Sequence, residues 1–387
     1  MTSVQNHLLP LSGNKKFFLK RIASSILLFF VLLQANAKDK DWNIAFILPF
    51  NASEINADVV LEQSAFARAN FAIDYYRGAK LALDSLSKKG YTFQVRVFDS
   101  KSDSNELKTI ARDPDLLKAE YIFAALTPAE ITLLIKHNPF LKSKIISALS
   151  PAIDKSWKQK DVLVAGNTLE DHAKAMARYI YKLKPSNYVI LRSGLLAETR
   201  YAKAFVQQMD SLDKKITHKE ILSNKEGYAP VIAQLSKTKE NYIVIPSGDQ
   251  AYAIKLFKFL EDLKDNYRIN LIVHPVWIDY QTIDPKLFLK YKVHTTSSYF
   301  VDYNDSSVNE FVQKYRSSFY TEPTELSFKA FDQQFFYLTA YDNSFLKSTY
   351  QYDGLGTRYQ YSTKADWGRN KALYILLFSE EGLIRLQ

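Results

Sequence analysis

Residue types that carry out covalent or metal chemistry occur only at scattered positions in this sequence. It has no cysteine and no Gly-x-Ser-x-Gly elbow, phosphate-binding loop, dinucleotide fingerprint or His-Glu-x-x-His helix. Its six histidines lack the spacing typical of a metal site. We therefore predict a protein that is not an enzyme and has no cofactor or metal, with an uncharacterised hydrolase as the alternative. The histidines are His7, His137, His172, His218, His274 and His294.

Polar residues that follow predicted strands are better placed for binding. Thr127 follows a strand and opens a helix, so its hydroxyl and the free amides of that first turn could hold a carboxylate. An ordinary helix cap, with Pro128 at the first helical position, is the alternative. Ser247 lies at a later strand end, and Trp277 and Asp279 follow the next strand. Tryptophan offers a stacking face with a polar N–H, so these three are candidate ligand contacts.

The elements that must position these residues are strands alternating with amphipathic helices. This pattern is typical of α/β proteins and continues from about residue 44 to residue 345. It forms two successive units, each of which predicts a doubly wound Rossmann-like lobe. No Gly/Ser-rich or Pro-rich linker separates the units, so we predict short crossings and a hinge between them. Two strand-like runs, 357–362 and 372–378, predict a terminal hairpin.

The first 37 residues have the layout of a secretory signal peptide. They contain four basic residues, no acidic residue and an apolar run over 22–33 that is too short to span a bilayer. Small residues at Ala35 and Ala37 predict cleavage after Ala37, which leaves a periplasmic protein that begins at Lys38. An uncleaved N-terminal anchor is the alternative. The absence of cysteine excludes lipidation at that site.

Composition narrows the partners and the architecture of the exported chain. Without the predicted signal, basic residues exceed acidic ones by six, and they are spread over the polar faces of helices rather than gathered in stripes. We therefore predict no nucleic-acid partner. A chain of this length without disulfides must be stabilised by its hydrophobic cores, and two domains are expected.

Several segments resemble the type 1 periplasmic binding proteins, the family of the Leu/Ile/Val and other amino acid receptors of ABC transporters. The most recognisable part includes the strand at 44–50, which ends in Leu-Pro-Phe, and the helix DYYRGAKLALDSL at 74–86. A strand then closes on Asp99. Later segments at 200–205, 311–332 and 367–370 also fit. The first strand and the long loop after it are most similar to a Bacteroidetes-type variant that is often fused to LysM modules.

The resemblance implies further ligand-binding residues. Ser147, Ala148 and Ser150 match the loop that holds ligand backbone groups in amino acid receptors, and Tyr201 matches the aromatic residue that closes over the ligand. Turn formation is the alternative for the serines. The segment 124–128, Ala-Ala-Leu-Thr-Pro, replaces the Gly- and Ser-rich loop of amino acid receptors. Another small molecule or a cell-wall fragment therefore stays open as the ligand.

The family connectivity implies two lobes and three hinge crossings. The first lobe would comprise residues 42–168 plus 300–356, and the second 169–299 plus 357–387. The implied function is a periplasmic solute-binding protein that closes on a small polar ligand, an amino acid or amide-like molecule, and presents it to an ABC permease. The alternative is an envelope interaction or sensory module with the same fold, which recognises peptidoglycan or a protein partner.

Overall fold

The structure is a computed structural model. It describes residues 41–52, 63–159, 162–264, 266–340, 351–361 and 368–386. The predicted signal peptide and its cleavage site lie outside the described residues.

A parallel sheet of five strands forms the N-terminal part of the fold. The strands lie in the order β2-β1-β3-β4-β5, and every neighbouring pair is parallel. Strand β3 is buried along its whole length, as expected for a sheet covered by helices on both faces. The strands are β1 (Asp41–Leu48), β2 (Thr92–Asp99), β3 (Tyr121–Ala124), β4 (Lys144–Ser147) and β5 (Val162–Val164).

Among the described residues, four helices connect these strands. The longest, α1, packs its small and aromatic residues Ala72, Tyr75 and Ala79 into the same core as Phe46 and Phe123 of the sheet. Helices α2, α3 and α4 each begin with a side-chain cap, which supplies partners for first-turn amides. The helices are α1 (Gln63–Ser87), α2 (Ser104–Ile110), α3 (Pro114–Leu117) and α4 (Pro128–His137), and a 3₁₀ turn follows at Lys155–Gln159.

A second sheet of seven strands repeats this order and then adds two antiparallel strands. Its order is β14-β13-β10-β9-β8-β6-β7, and β6 to β10 pair in parallel. The strands are β6 (Asn187–Arg192), β7 (Thr217–Leu222), β8 (Glu240–Ile245), β9 (Arg268–Val273), β10 (His294–Ser297), β13 (Tyr374–Ser379) and β14 (Gly382–Arg385). Its helices are α5 (Leu169–Lys182), α6 (Glu198–Leu212), α7 (Ser223–Glu226), α8 (Ala229–Ile232), α9 (Gln250–Asp262) and α10 (Pro285–Lys290), with a 3₁₀ turn at Pro275–Asp279.

The chain after β10 returns to the first sheet. Helices α11 (Ser306–Phe319) and α12 (Glu325–Phe335) pack against α1, and α12 continues as a π-helical turn at Phe336–Ala340. Strands β11 (Gln351–Asp353) and β12 (Arg358–Gln360) form a separate antiparallel pair. The rings of Tyr359 and Tyr361 stack on Phe336 at centroid distances of 4.7 and 5.8 Å, so this pair belongs to the core of the first sheet.

The predicted hairpin between residues 357–362 and 372–378 is wrong. The first run pairs with β11, whereas β13 pairs with β10 and with β14. The actual terminal hairpin turns immediately before Gly382, whose φ of +100° is readily adopted by glycine alone. Strand-like composition identified the two runs correctly, but it carries no information about their partners.

Candidate ligand-binding site

The strand order reverses at one point in each sheet, and these two points are where open α/β sheets bind ligands. The reversal lies between β1 and β3 in the first sheet and between β6 and β8 in the second. At such a switch point the loops beyond the carboxyl ends of the strands separate and leave a crevice. The loops concerned are 49–52 and 125–127 in the first sheet, and 193–197 and 246–249 in the second.

Thr127 lies at the first switch point and forms an ordinary helix cap. Its hydroxyl accepts a hydrogen bond from the Glu130 amide at 3.3 Å, and the Glu130 carboxylate accepts one from the Thr127 amide at 2.7 Å. This reciprocal capping box brings a negative charge to the N-terminus of α4. The sequence had suggested that this helix end could hold the carboxylate of a ligand. The protein's own carboxylate now lies there.

A second carboxylate satisfies the amides that follow β1. Asp99, at the end of β2, accepts hydrogen bonds from the amides of Asn51 at 3.0 Å, Ala52 at 2.8 Å and Lys101 at 2.9 Å. The backbone N–H groups at this edge of the first sheet are therefore bound within the protein. An incoming anion would have to displace Asp99 to reach them.

The second switch point also contains a carboxylate, Glu198, which the sequence analysis missed. Glu198 is buried and accepts hydrogen bonds from the Ser193 hydroxyl and from the Gly194 amide at 3.3 Å. The Arg192 guanidinium lies 3.7 Å away and also binds Glu220 at 2.6 Å. In sequence, Glu198 looks like any acidic residue in the first turn of a helix, where the helix dipole favours it. Nothing in the pattern distinguished it.

The residues matched to the ligand loop of amino acid receptors form hydrogen bonds within the protein. Ser147 is fully buried and donates its hydroxyl to the Ser150 carbonyl at 3.2 Å. The Ala148 carbonyl accepts from the side-chain amide of Gln333, in α12, at 2.8 Å. Ser150 is half-buried, and its hydroxyl accepts from the Ala152 amide at 3.4 Å. The loop is held rigidly, and Ser150 is its accessible hydroxyl.

Ser247 and Trp277 are brought together beneath the second switch point. Both are fully buried, and the Trp277 indole N–H donates to the Ser247 carbonyl at 2.8 Å. The indole packs against Phe257, at a centroid distance of 5.8 Å, and so has no face open to solvent in this conformation. Asp279 is exposed, as is Asp249, which caps α9 by accepting from the Ala251 amide at 2.9 Å. Exposed carboxylates thus follow both β8 and β9.

Tyr201, a residue of α6, is fully buried against the second sheet. Its hydroxyl has no hydrogen-bond partner among the described residues, and burial raises the pKa of its phenol. The ring of His274 lies 6.2 Å away, centroid to centroid. Burial lowers the pKa of His274, against the opposing charge of Glu198. The buried phenol of Tyr201 therefore lies beside the His274 ring, on which the charge of Glu198 acts.

The sequence of this chain matches no protein-family model and no curated protein. Solved structures do match its fold. A structure from Rhodospirillum rubrum, described as a branched-chain amino acid ABC transporter, has a TM-score of 0.62 and 14% identity, and the match covers 90% of this chain and 100% of that one. A substrate-binding protein of an ABC transporter from Desulfitobacterium hafniense, in complex with leucine, has a TM-score of 0.52 at 13% identity, with 90% and 100% covered.

A third neighbour has a different role. The C-domain of LpoA from Haemophilus influenzae, a regulator of PBP1A, has a TM-score of 0.60 at 13% identity, and the match covers 89% of this chain and 100% of that domain. The chain has the type 1 periplasmic binding fold. The fold predicted from the sequence is confirmed, and it is shared by solute receptors and by a regulatory protein. In the parts of the chain that are described, every helix falls short of the length or the apolar character needed to cross a bilayer.

In this type 1 periplasmic binding fold, the segments that join the two sheets are fastened by Asn370. Its side-chain amide donates to the carbonyls of Ala165 at 3.2 Å and Arg358 at 2.7 Å. Its side-chain oxygen accepts from the amides of Gln360 at 2.9 Å and Ala372 at 3.0 Å. All four hydrogen-bonding positions of a buried asparagine are used, which fixes the geometry where the chain crosses between the sheets.

Beside Asn370, one buried carboxylate joins two of the crossing segments. Asp171, at the start of α5, forms ion pairs with Arg369 and with Lys371, the latter at 3.0 Å. It also accepts from the amide and hydroxyl of Thr168, at 2.9 and 2.8 Å. Burial acts to raise the pKa of Asp171, but the Thr168 hydrogen bonds and the two cations outweigh it, so the pKa lies below its usual value. The carboxylate is therefore ionised at neutral pH.

Proposed function

We propose that this chain is a non-enzymatic periplasmic solute-binding protein whose two lobes close on a small polar ligand. The observation that carries the proposal is a type 1 periplasmic binding fold with a strand-order switch point in each sheet. The closed form would be presented to an ABC permease. Export through the predicted signal peptide, with cleavage after Ala37, belongs to the same proposal.

The proposed ligand is amide-like and neutral or cationic. Carboxylates of the protein itself, Glu130 and Glu198, bind backbone amides at the two switch points. The exposed carboxylates Asp249 and Asp279 add negative charge at the strand ends of the second sheet. An amino acid carboxylate would meet repulsion from Glu130, Asp249 and Asp279, which have accessible surface, whereas an amide N–H or an amine would find an acceptor there.

Within this proposal the candidate residues have two different roles. Thr127, Ser150 and Asp279 have surface through which they would contact the ligand. The buried candidates would support those contacts from beneath: Ser147, Ala148, Tyr201, Ser247 and Trp277. Lobes of residues 42–168 plus 300–356 and 169–299 plus 357–387 remain part of the proposal, except that 357–361 moves to the first lobe because its tyrosines pack on Phe336.

A thermal-shift screen of the exported protein against amino acids, amino acid amides, small amines and muropeptides tests this function. A ligand that binds only the folded state raises its stability by about 2.7 kcal/mol when present at 100 times its Kd. We expect a rise in melting temperature with amides or amines, reduced in Thr127→Ala and Asp279→Ala. Thr109→Ala, an exposed threonine in α2, is the matched control. A response to acidic amino acids alone would contradict the proposed ligand class.

A second function is favoured by an apolar feature at the second switch point. Leu195 and Leu196 follow β6 with 52% and 86% of their surface exposed. Adjacent exposed leucines on a loop are suited to contact a protein or a cell-wall polymer. The similarity to the LpoA C-domain agrees with such a role. Two results together would favour an interaction module over a solute receptor. No small molecule would shift the melting temperature, and the protein would sediment with sacculi or with an envelope protein. Replacement of Leu196 by serine should then abolish that sedimentation.

A further inference from the structure

A cavity of about 610 Å³ lies apart from the candidate residues at the two switch points. Its walls come from the end of α1, the segment after β10, α11, α12 and the loop that follows β11, with Tyr374 of β13 and Arg385 of β14. None of the candidate residues at the switch points lines it. Its volume falls within the range of pockets that bind small molecules.

One wall of the cavity is aromatic. Phe331 lies between Phe311 and Phe335, with both ring-centroid distances at 4.8 Å. Phe331 and Phe335 are half-buried, although they lie on a helix whose other face packs tightly on α1. A flat or branched apolar group placed against this wall would bury surface that is now open to water.

Two lysines beside this wall have no carboxylate within ion-pair distance among the residues that the structure describes. The Lys314 ammonium is half-buried and donates to the Ser85 hydroxyl at 2.9 Å. The Lys89 ammonium lies 5.2 Å from the centre of the Phe335 ring. Burial, followed by the charge of Lys88, lowers the pKa of Lys314. Asp84 and Glu310 oppose this lowering from beyond ion-pair distance. A partly desolvated cation that no described carboxylate reaches within ion-pair distance is a favourable partner for an anionic group.

The remaining charges of the cavity limit the charge of its ligand. Three further acidic side chains line it, Asp302, Asp305 and Glu310, so a polyphosphate or a polycarboxylate would be repelled. Asp353 is paired with Arg358, and the buried Asp332 accepts from backbone amides, so neither adds a free negative charge to the interior. Three cations, Lys89, Lys314 and Arg385, face these acidic side chains, so the cavity accommodates at most one further negative charge, placed beside the lysines.

We propose that this cavity binds a small organic monocarboxylate with an aromatic or branched aliphatic body. The carboxylate lies between Lys89 and Lys314, and the body packs on the wall formed by Phe311, Phe331 and Phe335. The inference does not depend on the ligand class proposed for the switch points.

The test is isothermal titration of the protein, purified from the periplasm of an expression host, with N-acetyl-L-phenylalanine. N-acetyl-L-phenylalanine amide is the matched probe, because it keeps the aromatic body and lacks the charge. Lys314→Met removes the ammonium and keeps an apolar side chain of similar length. Lys258→Met is the control variant, since Lys258 is exposed on α9 and does not line the cavity.

We expect the carboxylate to bind at least tenfold more tightly than the amide, and Lys314→Met to weaken it by a similar factor. Lys258→Met should bind like the unmodified protein. Unchanged urea unfolding of Lys314→Met would show that the loss is one of binding and not of folding. Three results would each overturn the proposal. They are equal affinity for the two probes, no effect of Lys314→Met, and no heat of binding with the ligand at about 10 mM, which is ten times a Kd of about 1 mM.

Discussion

Replacement of Asp171 by asparagine should weaken the junction between the two sheets by an amount that can be worked out from its contacts. The carboxylate forms charge-assisted contacts with Arg369 and Lys371 and two hydrogen bonds with Thr168. An asparagine oxygen can keep one side of this arrangement, but its NH₂ group then points at a cationic donor. The loss of two charge-assisted bonds, each worth about 1.5–3 kcal/mol, gives an upper bound of about 6 kcal/mol.

Solvent reduces that bound. The side chains of Arg369 and Lys371 are 20% and 24% exposed, so water can partly solvate the two stranded cations. We therefore expect Asp171→Asn to lower the free energy of unfolding by about 2–3 kcal/mol, below the range for breaking a fully buried pair. The assay is urea unfolding followed by circular dichroism. Hydrogen exchange of residues 165–171 and 368–372 adds a local readout, because a two-lobed chain need not unfold in one step.

The neighbouring residue provides the control. Glu170 pairs with Arg200 at the surface, where that arginine is 74% exposed, so Glu170→Gln should change the free energy of unfolding by less than about 0.5 kcal/mol. The pH dependence gives a further check. Because the pKa of Asp171 is depressed, its contribution is present above about pH 4 and is lost as the pH falls through the lower folded value. Equal effects of the two substitutions at pH 7 would refute this account.

Three further substitutions test other parts of the structure. Gly78→Ala should destabilise the protein by about 2–4 kcal/mol in urea unfolding, although alanine is the better helix former, because its Cβ would overlap the Ser327 carbonyl. Tyr201→Phe should leave stability unchanged or raise it by about 1 kcal/mol, since it removes a buried hydroxyl that no described residue partners, and a loss of stability would reveal a hydrogen bond to another group. Burial raises the pKa of Asp332 to about 6, so its contribution is greatest below about pH 4 and falls by about 3 kcal/mol in all as the pH rises through 6. In Asp332→Asn that dependence should disappear from unfolding curves recorded across this pH range.

The alternation of strands and helices was predictable because the spacing of apolar residues differs between the two kinds of element. Helix α4 begins at Pro128 and ends at His137, as the proline and the apolar spacing indicate. The strands with which β12 and β13 pair were not predictable, because a short aromatic or β-branched run can join any free strand edge. The sequence indicated where these two strands lie, whereas their partner strands depend on long-range packing.

The candidate site shows the same division. Residues beyond strand ends were identified from their position, and Thr127 and Asp279 do have exposed surface there. Tyr201 and Trp277 are buried, because an aromatic residue near a strand end packs into the nearest core unless another group holds it out. The burial of Glu198 depends on Gly194 and Arg192 folding around it, and no local spacing reveals that.

The carboxylates at the switch points connect the local structure with the proposed ligand. Each of them stabilises a loop by binding backbone amides that would otherwise lack partners, as a capping box does at any helix end. The same bonds remove the donors with which this architecture could hold an anion. Glu130→Gln separates the two effects, because glutamine can still accept from the Thr127 amide while the charge is gone. If the carboxylate selects against acidic ligands, this substitution should improve the binding of amino acids over that of their amides, and an unchanged ratio would mean that α4 does not face the ligand.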